Sequence, residues 1–377
     1  MFTVMINGVP RKFDYINAVR GIAILMVITV HASNEVKGLP EAFTYMCSKG
    51  AFEVQLFFIA SAFTLFLSYS KRKTIEGSHT TRNFFNRRFF RISPMYYLAA
   101  IVYSVICFYV PAYNDGQPLV LWKVLANMLY LNGFIPGAIN YLPPGGWSVG
   151  VEMVFYCCVP FLFAEVKNFK NAVVWVVVLT VVAVALKLLI RFLLIRLSID
   201  YHRPENWFLY YWFPNQAPVF MVGIALFFGM QKYTVTGRVT VYVSIALNTL
   251  ALFIFTWYRR HIDPYNIIPE QTIVAIFLAV NIFFLSQCRV RLFDNAITRF
   301  LGEISFSLYL VHFIVVYVLV DYFPHPANPF AWFFELLGLT ILISSAISWF
   351  TYHYIELNGI KLGNKYTRPA PVNVSAN

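Results

Sequence analysis

The first long apolar segment of the chain reads INAVRGIAILMVITVHASN over residues 16–34. A helix needs about 20 mostly apolar residues to cross the hydrocarbon core of a bilayer, and this segment is long enough. Nine similar runs follow, near residues 50–69, 92–112, 147–165, 171–195, 216–232, 236–257, 269–287, 303–321 and 330–354. The sequence therefore predicts an all-α integral membrane protein with about ten transmembrane helices.

The composition supports this fold class. Of the 377 residues, 59% are hydrophobic and only 12% are charged, whereas soluble domains are about 45–50% apolar and about 25% charged. The predicted spans use almost the whole length, so we expect no soluble domain. The five cysteines are odd in number and have neither disulfide nor metal-ligand spacing, so we expect no metal site.

Charge bias predicts the orientation. The net charge is +12, and in membrane proteins an excess of Lys and Arg marks cytoplasmic loops rather than nucleic-acid binding. The apolar segment 118–136 is ambiguous, because it contains polar residues and leads into a Pro/Gly-rich stretch. If it does not cross, 20 Lys and Arg lie inside and 9 outside; if it crosses, the numbers become 16 and 12. We therefore predict ten spans with both termini cytoplasmic.

This orientation gives three regions. Residues 1–15 form a cytoplasmic N-terminal segment, residues 16–356 form the transmembrane domain, and residues 357–377 form a cytoplasmic tail. We expect the tail to be partly disordered, because its end is polar and contains proline.

The first helix carries two ionisable residues, Arg20 and His31. Eleven residues separate them, which is about three helical turns, so both lie on one face about 16 Å apart along the axis. An intramembrane ionisable group is costly and therefore a functional candidate. His31 can act as a general base, or it can simply lie at a helix end facing the lipid headgroups.

Arginines dominate the segment before the third predicted span. Arg88 and Arg91 are three residues apart and share a helix face. Two guanidinium groups side by side suit a phosphate, because each makes bidentate, charge-assisted hydrogen bonds. The alternative is that these residues only anchor the helix entry beside anionic lipid.

A carboxylate lies inside the fourth predicted span, after the turn Pro143-Pro144-Gly145-Gly146. Glu152 shares a face with Tyr156, and the sequence offers no obvious cation nearby. It can orient His31 or act on a substrate hydroxyl. A packing and capping role is the alternative.

A stripe of polar residues runs along one face of the ninth predicted span. Ser305, Tyr309 and His312 have the spacing i, i+4, i+7 of one helix face. This stripe can belong to a site, or it can form hydrogen bonds between helices.

Taken in order, these motifs resemble the membrane-bound acyltransferase 3 family, whose members are integral-membrane O-acyltransferases of glycans. The matching residues are Arg20-x10-His31, Phe57-Phe58-Ile59-Ala60-Ser61, Arg88-x-x-Arg91 with Ile92 and Pro94, Trp147-Ser148-Val149-x-x-Glu152 with Phe155-Tyr156, Pro218-x-Phe220-x-x-Gly223, Leu301-Gly302-x-Ile304-Ser305-x-Ser307-Leu308-Tyr309-Leu310-x-His312, and Ile355-Glu356. The chain departs from the family pattern at Ala62, where glycine is usual, and at Val149 and Gly150, where leucine and serine are common.

The resemblance implies an acyl-CoA donor, acetyl-CoA by default, and no permanently bound cofactor. It implies that Arg20, Arg88 and Arg91 hold the donor and that His31 removes a proton from a sugar hydroxyl or carries the acyl group. Glu152 would then orient His31, and His312 or Tyr309 would donate to the oxyanion. Some members carry an additional extracytoplasmic esterase-like domain. Since this chain lacks it, we expect transfer to be completed in the membrane domain or with a separate partner.

The implied setting is the bacterial inner membrane. The implied partners are membrane lipid, a glycan or lipid-linked sugar acceptor, and polysaccharide-assembly proteins. Aromatic residues of the outer segments 112–146 and 196–215 can stack on sugars or form an interfacial belt; they are Tyr113, Tyr130, Tyr141, Trp207, Tyr210, Tyr211 and Trp212. The alternative function is a transporter or flippase for a lipid-linked or small anionic substrate, which would leave its substrate unmodified.

Overall fold

The computed structural model describes residues 3–6, 9–12, 14–110, 113, 118–197, 208–263 and 268–367. Near the N-terminus, strands β1 (Thr3–Ile6) and β2 (Val9–Lys12) form an antiparallel hairpin in which Thr3 pairs with Lys12. Every longer element is a helix. Trp207 and residues 368–377 lie outside the described ranges.

The structure contains fifteen α-helices in the described ranges, and the long ones coincide with the predicted apolar runs. They are α1 (Asp14–Glu35), α2 (Glu41–Ser48), α3 (Glu53–Glu76), α4 (Thr80–Tyr109), α5 (Leu121–Met128), α6 (Gly146–Glu165), α7 (Phe169–Arg196), α8 (Phe208–Tyr211), α9 (Phe213–Lys232), α10 (Arg238–Ile262), α11 (Glu270–Gln287), α12 (Ala296–Glu303), α13 (Ser305–Tyr322), α14 (Pro329–Thr351) and α15 (Leu357–Lys365). Within the described ranges, nine segments are long and apolar enough to cross a membrane. One of these contains both α3 and α4, so the ten predicted runs are accounted for and the all-helical membrane fold is confirmed.

Helix α4 begins twelve residues earlier than the sequence indicates. Only a short 3-10 turn, Gly77–His79, separates it from α3. Arg88 and Arg91 therefore lie inside a helix, not in a loop leading into one. The reason is local, since Glu76 at the end of α3 binds Arg87 and Arg72 and neutralises part of the basic run.

The ambiguous segment 118–136 does not form a helix of spanning length. It contains the eight-residue helix α5 and, after it, a 3-10 turn at Asn132–Phe134. Helices α3 and α6 run parallel, because Phe58 contacts Trp147 at 6.2 Å and Phe66 contacts Phe163 at 5.4 Å between ring centroids. Among the described residues between them, α4 is the one helix long enough to return across the membrane. This matches the arrangement that charge bias favours, although the cytoplasmic placement of the termini stays a prediction.

The ninth predicted span begins directly after a helix break. The helix is broken at Ile304, between α12 and α13, so the span runs over Ser305–Tyr322, and α12 packs across the start of α1. The approach is very close: a Cβ at Gly302 would lie 1.7 Å from the Asn17 carbonyl oxygen, and one at Gly21 would lie 1.9 Å from that of Thr298. Glycine is therefore required at this crossing.

Helices α3 and α9 are the most buried and lie in the centre of the helix bundle, whereas α7 and α10 expose most of their apolar side chains. Phe220 of α9 stacks on Phe58 of α3 at 4.4 Å and on Phe155 of α6 at 4.1 Å. At the C-terminal end, α14 continues through a π-helical turn, Tyr352–Glu356, into α15, which packs on α4. The predicted tail therefore begins as helix.

Candidate functional site

A polar pocket opens between α1, α3, α4, α6, α13 and the π-helical turn. It has a water-accessible volume of about 90 Å³. The predicted residues Arg20, Arg88, Arg91, Glu152 and Tyr309 all line it, although they are distant in sequence. We call this space the arginine pocket; its other polar lining residues are Ser61, Ser148, Tyr156, Glu303, Ser305 and Glu356.

The three guanidinium groups of the arginine pocket keep hydrogen-bonding capacity. Arg20 donates to Thr64 Oγ1 at 3.2 Å, and Arg88 lies over the rings of Phe84 and Tyr156 at 5.8 and 5.9 Å. The buried Nε of Arg88 has no partner among the described residues. Among the residues that the structure describes, no carboxylate lies within ion-pair distance of Arg20, Arg88 or Arg91. The pocket can therefore receive an anion.

Hydroxyl groups satisfy the carboxylates of the arginine pocket. Glu152 accepts a hydrogen bond from Ser61 and another from Tyr156 at 2.8 Å. Ser307 donates to Glu356. The expectation that Glu152 has no cation nearby is wrong, because Arg20 and Arg88 are close enough to interact with it electrostatically.

Tyr309 forms the wall of the arginine pocket toward the Gly-rich turn. Its hydroxyl donates to the Gly145 carbonyl at 3.0 Å and accepts from Ser148 at 3.2 Å. Gly145 has φ of 73°, and a Cβ there would lie 2.6 Å from the Tyr309 hydroxyl. The turn therefore needs glycine both for its backbone conformation and for space beside Tyr309.

The two predicted histidines meet behind Tyr309. The ring centroids of His31 and His312 are 5.2 Å apart, and Tyr309 lies 6.0 Å from His312. Neither histidine is among the residues that line the arginine pocket. Within the described ranges, no hydrogen bond joins Glu152 to His31, so Glu152 does not orient His31 directly.

The geometry of His312 defines its tautomer. Its Nδ1 lies 3.2 Å from the Leu308 carbonyl oxygen. Because a carbonyl only accepts, Nδ1 carries the proton and Nε2 keeps a lone pair in the neutral ring. This Nε2 is buried and has no partner in the part of the chain that the structure describes. Neutral His312 is thus a proton acceptor at Nε2 and is not suited to donate to an oxyanion.

Sequence reasoning assigned no role to Ser61, Glu303 or Glu356. All three line the arginine pocket. Glu303 lies at the break between α12 and α13, and Glu356 ends the π-helical turn, a type of distortion that is common at functional sites. For Glu303 and Glu356 the available signal was the rarity of acids near membrane spans, and Ser61 and Glu356 lie in motifs that match the family. Across the described residues, no group of three His, Cys, Asp or Glu is arranged to hold a metal ion.

Comparisons with known proteins point to one chemistry. A family described as an acyltransferase domain matches residues 13–349. A "Putative O-acetyltransferase" of Staphylococcus aureus (strain COL) is 21% identical over 94% of this chain, which spans 59% of that protein. Acyltransferase MdmB of Streptomyces mycarofaciens is 24% identical over 81% of the chain and 80% of its own length. No solved structure matches the chain.

Proposed function

Because the chain belongs to the acyltransferase 3 family, we propose that it moves an acyl group from acyl-CoA to a hydroxyl of a glycan. The acyl group is acetyl by default, as the names of the Staphylococcus aureus relatives indicate for those proteins. The acceptor is a cell-envelope or exported polysaccharide or its lipid-linked precursor, and the setting is the bacterial inner membrane. Since the chain spans about 59% of those relatives, a separate partner or further sequence can complete the pathway.

The observation that carries this proposal is the group of three arginines that line one pocket and have no carboxylate within ion-pair distance among the described residues. Acyl-CoA is rich in phosphate, and guanidinium groups bind phosphate through bidentate hydrogen bonds. Arg88 and Arg91, one turn apart on α4, hold the phosphates at the mouth of the arginine pocket, and Arg20 continues the binding path. The small volume of the pocket favours the thin pantetheine arm over the adenine nucleotide.

The histidine pair supplies the proton acceptor. His31 removes the proton of the acceptor hydroxyl as its oxygen attacks the thioester carbonyl. The carbon–sulfur bond breaks, and the sulfur leaves with the proton that His31 received. His312 assists, because the free lone pair of its buried Nε2 can stabilise the protonated ring of His31, whose centroid lies 5.2 Å away. Tyr309 separates the pair from the arginines and holds the Gly-rich turn in position.

Mass spectrometry tests the proposal directly. Envelope and secreted polysaccharides from cells that express the chain are compared with those from cells that lack it, with labelled acetyl groups supplied through acetyl-CoA. We expect one labelled acetyl group per modified sugar in the expressing cells only. Accumulation of unmodified glycan or its lipid-linked precursor inside the cells that lack the chain, without any acyl difference, would support the flippase alternative instead.

A further inference from the structure

A further carboxylate, outside the residues that line the arginine pocket, is buried without a full set of partners. Glu53 begins α3 and is only 7% exposed. Its Oε2 atom has no hydrogen-bond partner among the residues that the structure describes. Lys49 does not neutralise it, because its ammonium group lies over the rings of Tyr45 and Phe52 at 4.3 and 5.6 Å. A buried carboxylate oxygen of this kind is costly unless a ligand satisfies it.

Aromatic residues surround Glu53. It is close enough to interact electrostatically with Tyr309, Tyr210 and Tyr211. Tyr211 in turn packs on Trp147 at 4.4 Å between ring centroids. Flat aromatic faces of this kind contact the C–H faces of sugar rings, while nearby polar atoms bind the hydroxyl groups.

Glu53 lies in line with the arginine pocket. Residues 53, 57 and 61 share one face of α3, since they are four residues apart, and both Phe57 and Ser61 line the pocket. The rise of the helix puts Glu53 about 12 Å from Ser61 along the axis. Glu53 is therefore on the side of the pocket that is away from Arg20, the side of the α8 turn.

Two of the unsatisfied atoms on this side, Glu53 Oε2 and Gln216 Oε1, are hydrogen-bond acceptors, whereas Trp212 Nε1 is an unsatisfied donor. Gln216 is fully buried, and its Nε2 donates to the Tyr210 carbonyl at 2.8 Å. Its Oε1 has no partner in the described ranges. A carboxylate and an amide oxygen are complementary to O–H donors and would repel a phosphate.

From these observations we propose that Glu53, with Gln216 and the Trp147–Tyr211 pair, forms a subsite that binds the hydroxyl groups of a sugar ring of the acceptor. This proposal rests on the proposed function for its role in catalysis. It separates the two substrates: phosphate at Arg88 and Arg91 on one side, and neutral hydroxylated sugar at Glu53 on the other. Glu53 is a positioning residue, and it takes no part in the bond-breaking step.

The test measures binding of three short amphiphiles to the whole protein in lipid nanodiscs. The probes are octyl β-glucoside, octyl phosphate and octylammonium, each below its critical micelle concentration, and the signal is tryptophan fluorescence. We expect octyl glucoside to bind the native protein, Glu53→Ala to weaken it at least about tenfold, and Glu53→Gln to have a smaller effect, because an amide keeps one acceptor without the charge. Glu165→Ala, a change at an exposed end of α6, should leave binding unchanged.

Acetyl-CoA binding, measured in the same samples, shows that each Glu53 variant is folded. Equal octyl glucoside affinity in native protein and Glu53→Ala would overturn the subsite, as would preferential binding of octyl phosphate or octylammonium. If octyl glucoside binding depends on Glu53 but no acyl group is ever transferred, the proposed function fails while the subsite stands. If transfer occurs but Glu53→Ala binds octyl glucoside normally, the subsite fails while the proposed function stands.

Discussion

The imidazole rings of His31 on α1 and His312 on α13 have centroids 5.2 Å apart, and their planes are tilted by 47°. Most of the chain separates the two residues in sequence. Phe313 closes the pair on one side, at 4.5 Å from His31 and 4.0 Å from His312. The two histidines therefore form one unit, in which the half-buried His31 is accessible and the fully buried His312 supports it.

Removing either histidine should greatly slow transfer and leave donor binding unchanged. We expect His31→Ala and His312→Ala each to lower acetyl transfer at least about 100-fold, the usual contribution of a general base. The double variant should be little worse than either single one, because residues that act as a unit are not additive. Transfer is measured with labelled acetyl-CoA and membranes, and acetyl-CoA binding serves as the second readout.

The exposed His261 provides a control for the histidine pair, and His261→Ala should transfer normally. Full transfer by His31→Ala would refute its role as base. An additive loss in the double variant would mean that the two rings work independently.

Arg88 should bind the donor, whereas exposed Arg82 on the same helix should not. Loss of a charge-assisted hydrogen bond costs about 1.5–3 kcal/mol, so Arg88→Ala should weaken acetyl-CoA binding about 10- to 100-fold. Arg82→Ala is the matched control. Titration calorimetry on nanodisc-embedded protein measures both, and equal affinities would remove Arg88 from the donor site.

Arg87 differs from its neighbour Arg88, because it holds the end of α3 to α4. Glu76 accepts from Arg87 at 2.8 and 3.0 Å, from Arg72 at 3.0 Å and from Asn83 at 3.2 Å. Breaking a buried ion pair on one side costs about 3–5 kcal/mol. Glu76→Ala should therefore lower the thermal unfolding midpoint clearly, while acetyl-CoA affinity of the folded protein stays unchanged. An unfolding midpoint of Glu76→Ala equal to that of the native protein would contradict this structural role.

These two arginines show how far the sequence leads. Spacing alone paired Arg88 with Arg91 and Arg20 with His31, because helical periodicity determines which side chains share a face. It could not show that Arg87 is already neutralised, since Glu76 lies eleven residues away and its contact requires the early start of α4. Glu53 was missed for a similar reason. It adjoins an apolar run, and only the packing around it reveals an unsatisfied carboxylate.

The Gly145 position should tolerate no side chain. Alanine there would have to adopt φ of 73°, which costs an L-residue about 1–2 kcal/mol, and its Cβ would displace the Tyr309 hydroxyl. Gly145→Ala should lower both the unfolding midpoint and transfer. Gly338→Ala is the matched control, because nothing lies within 4 Å of the added Cβ. Equal behaviour of the two variants in thermal unfolding and transfer assays would contradict the tight fit.

The last prediction concerns the side of the membrane on which the chain lies after α5. If segment 118–136 does not cross, Lys37 after α1 and Gly137 after α5 lie on the same side, as the parallel course of α3 and α6 requires. Cysteine placed at either position in a cysteine-free background should then react with a membrane-impermeant maleimide added outside intact cells. Cysteine at exposed Arg238, the first residue of α10, should react only after the cells are opened. Protection of Gly137→Cys together with labelling of Arg238→Cys in intact cells would mean that the segment crosses, because every later loop would then change sides.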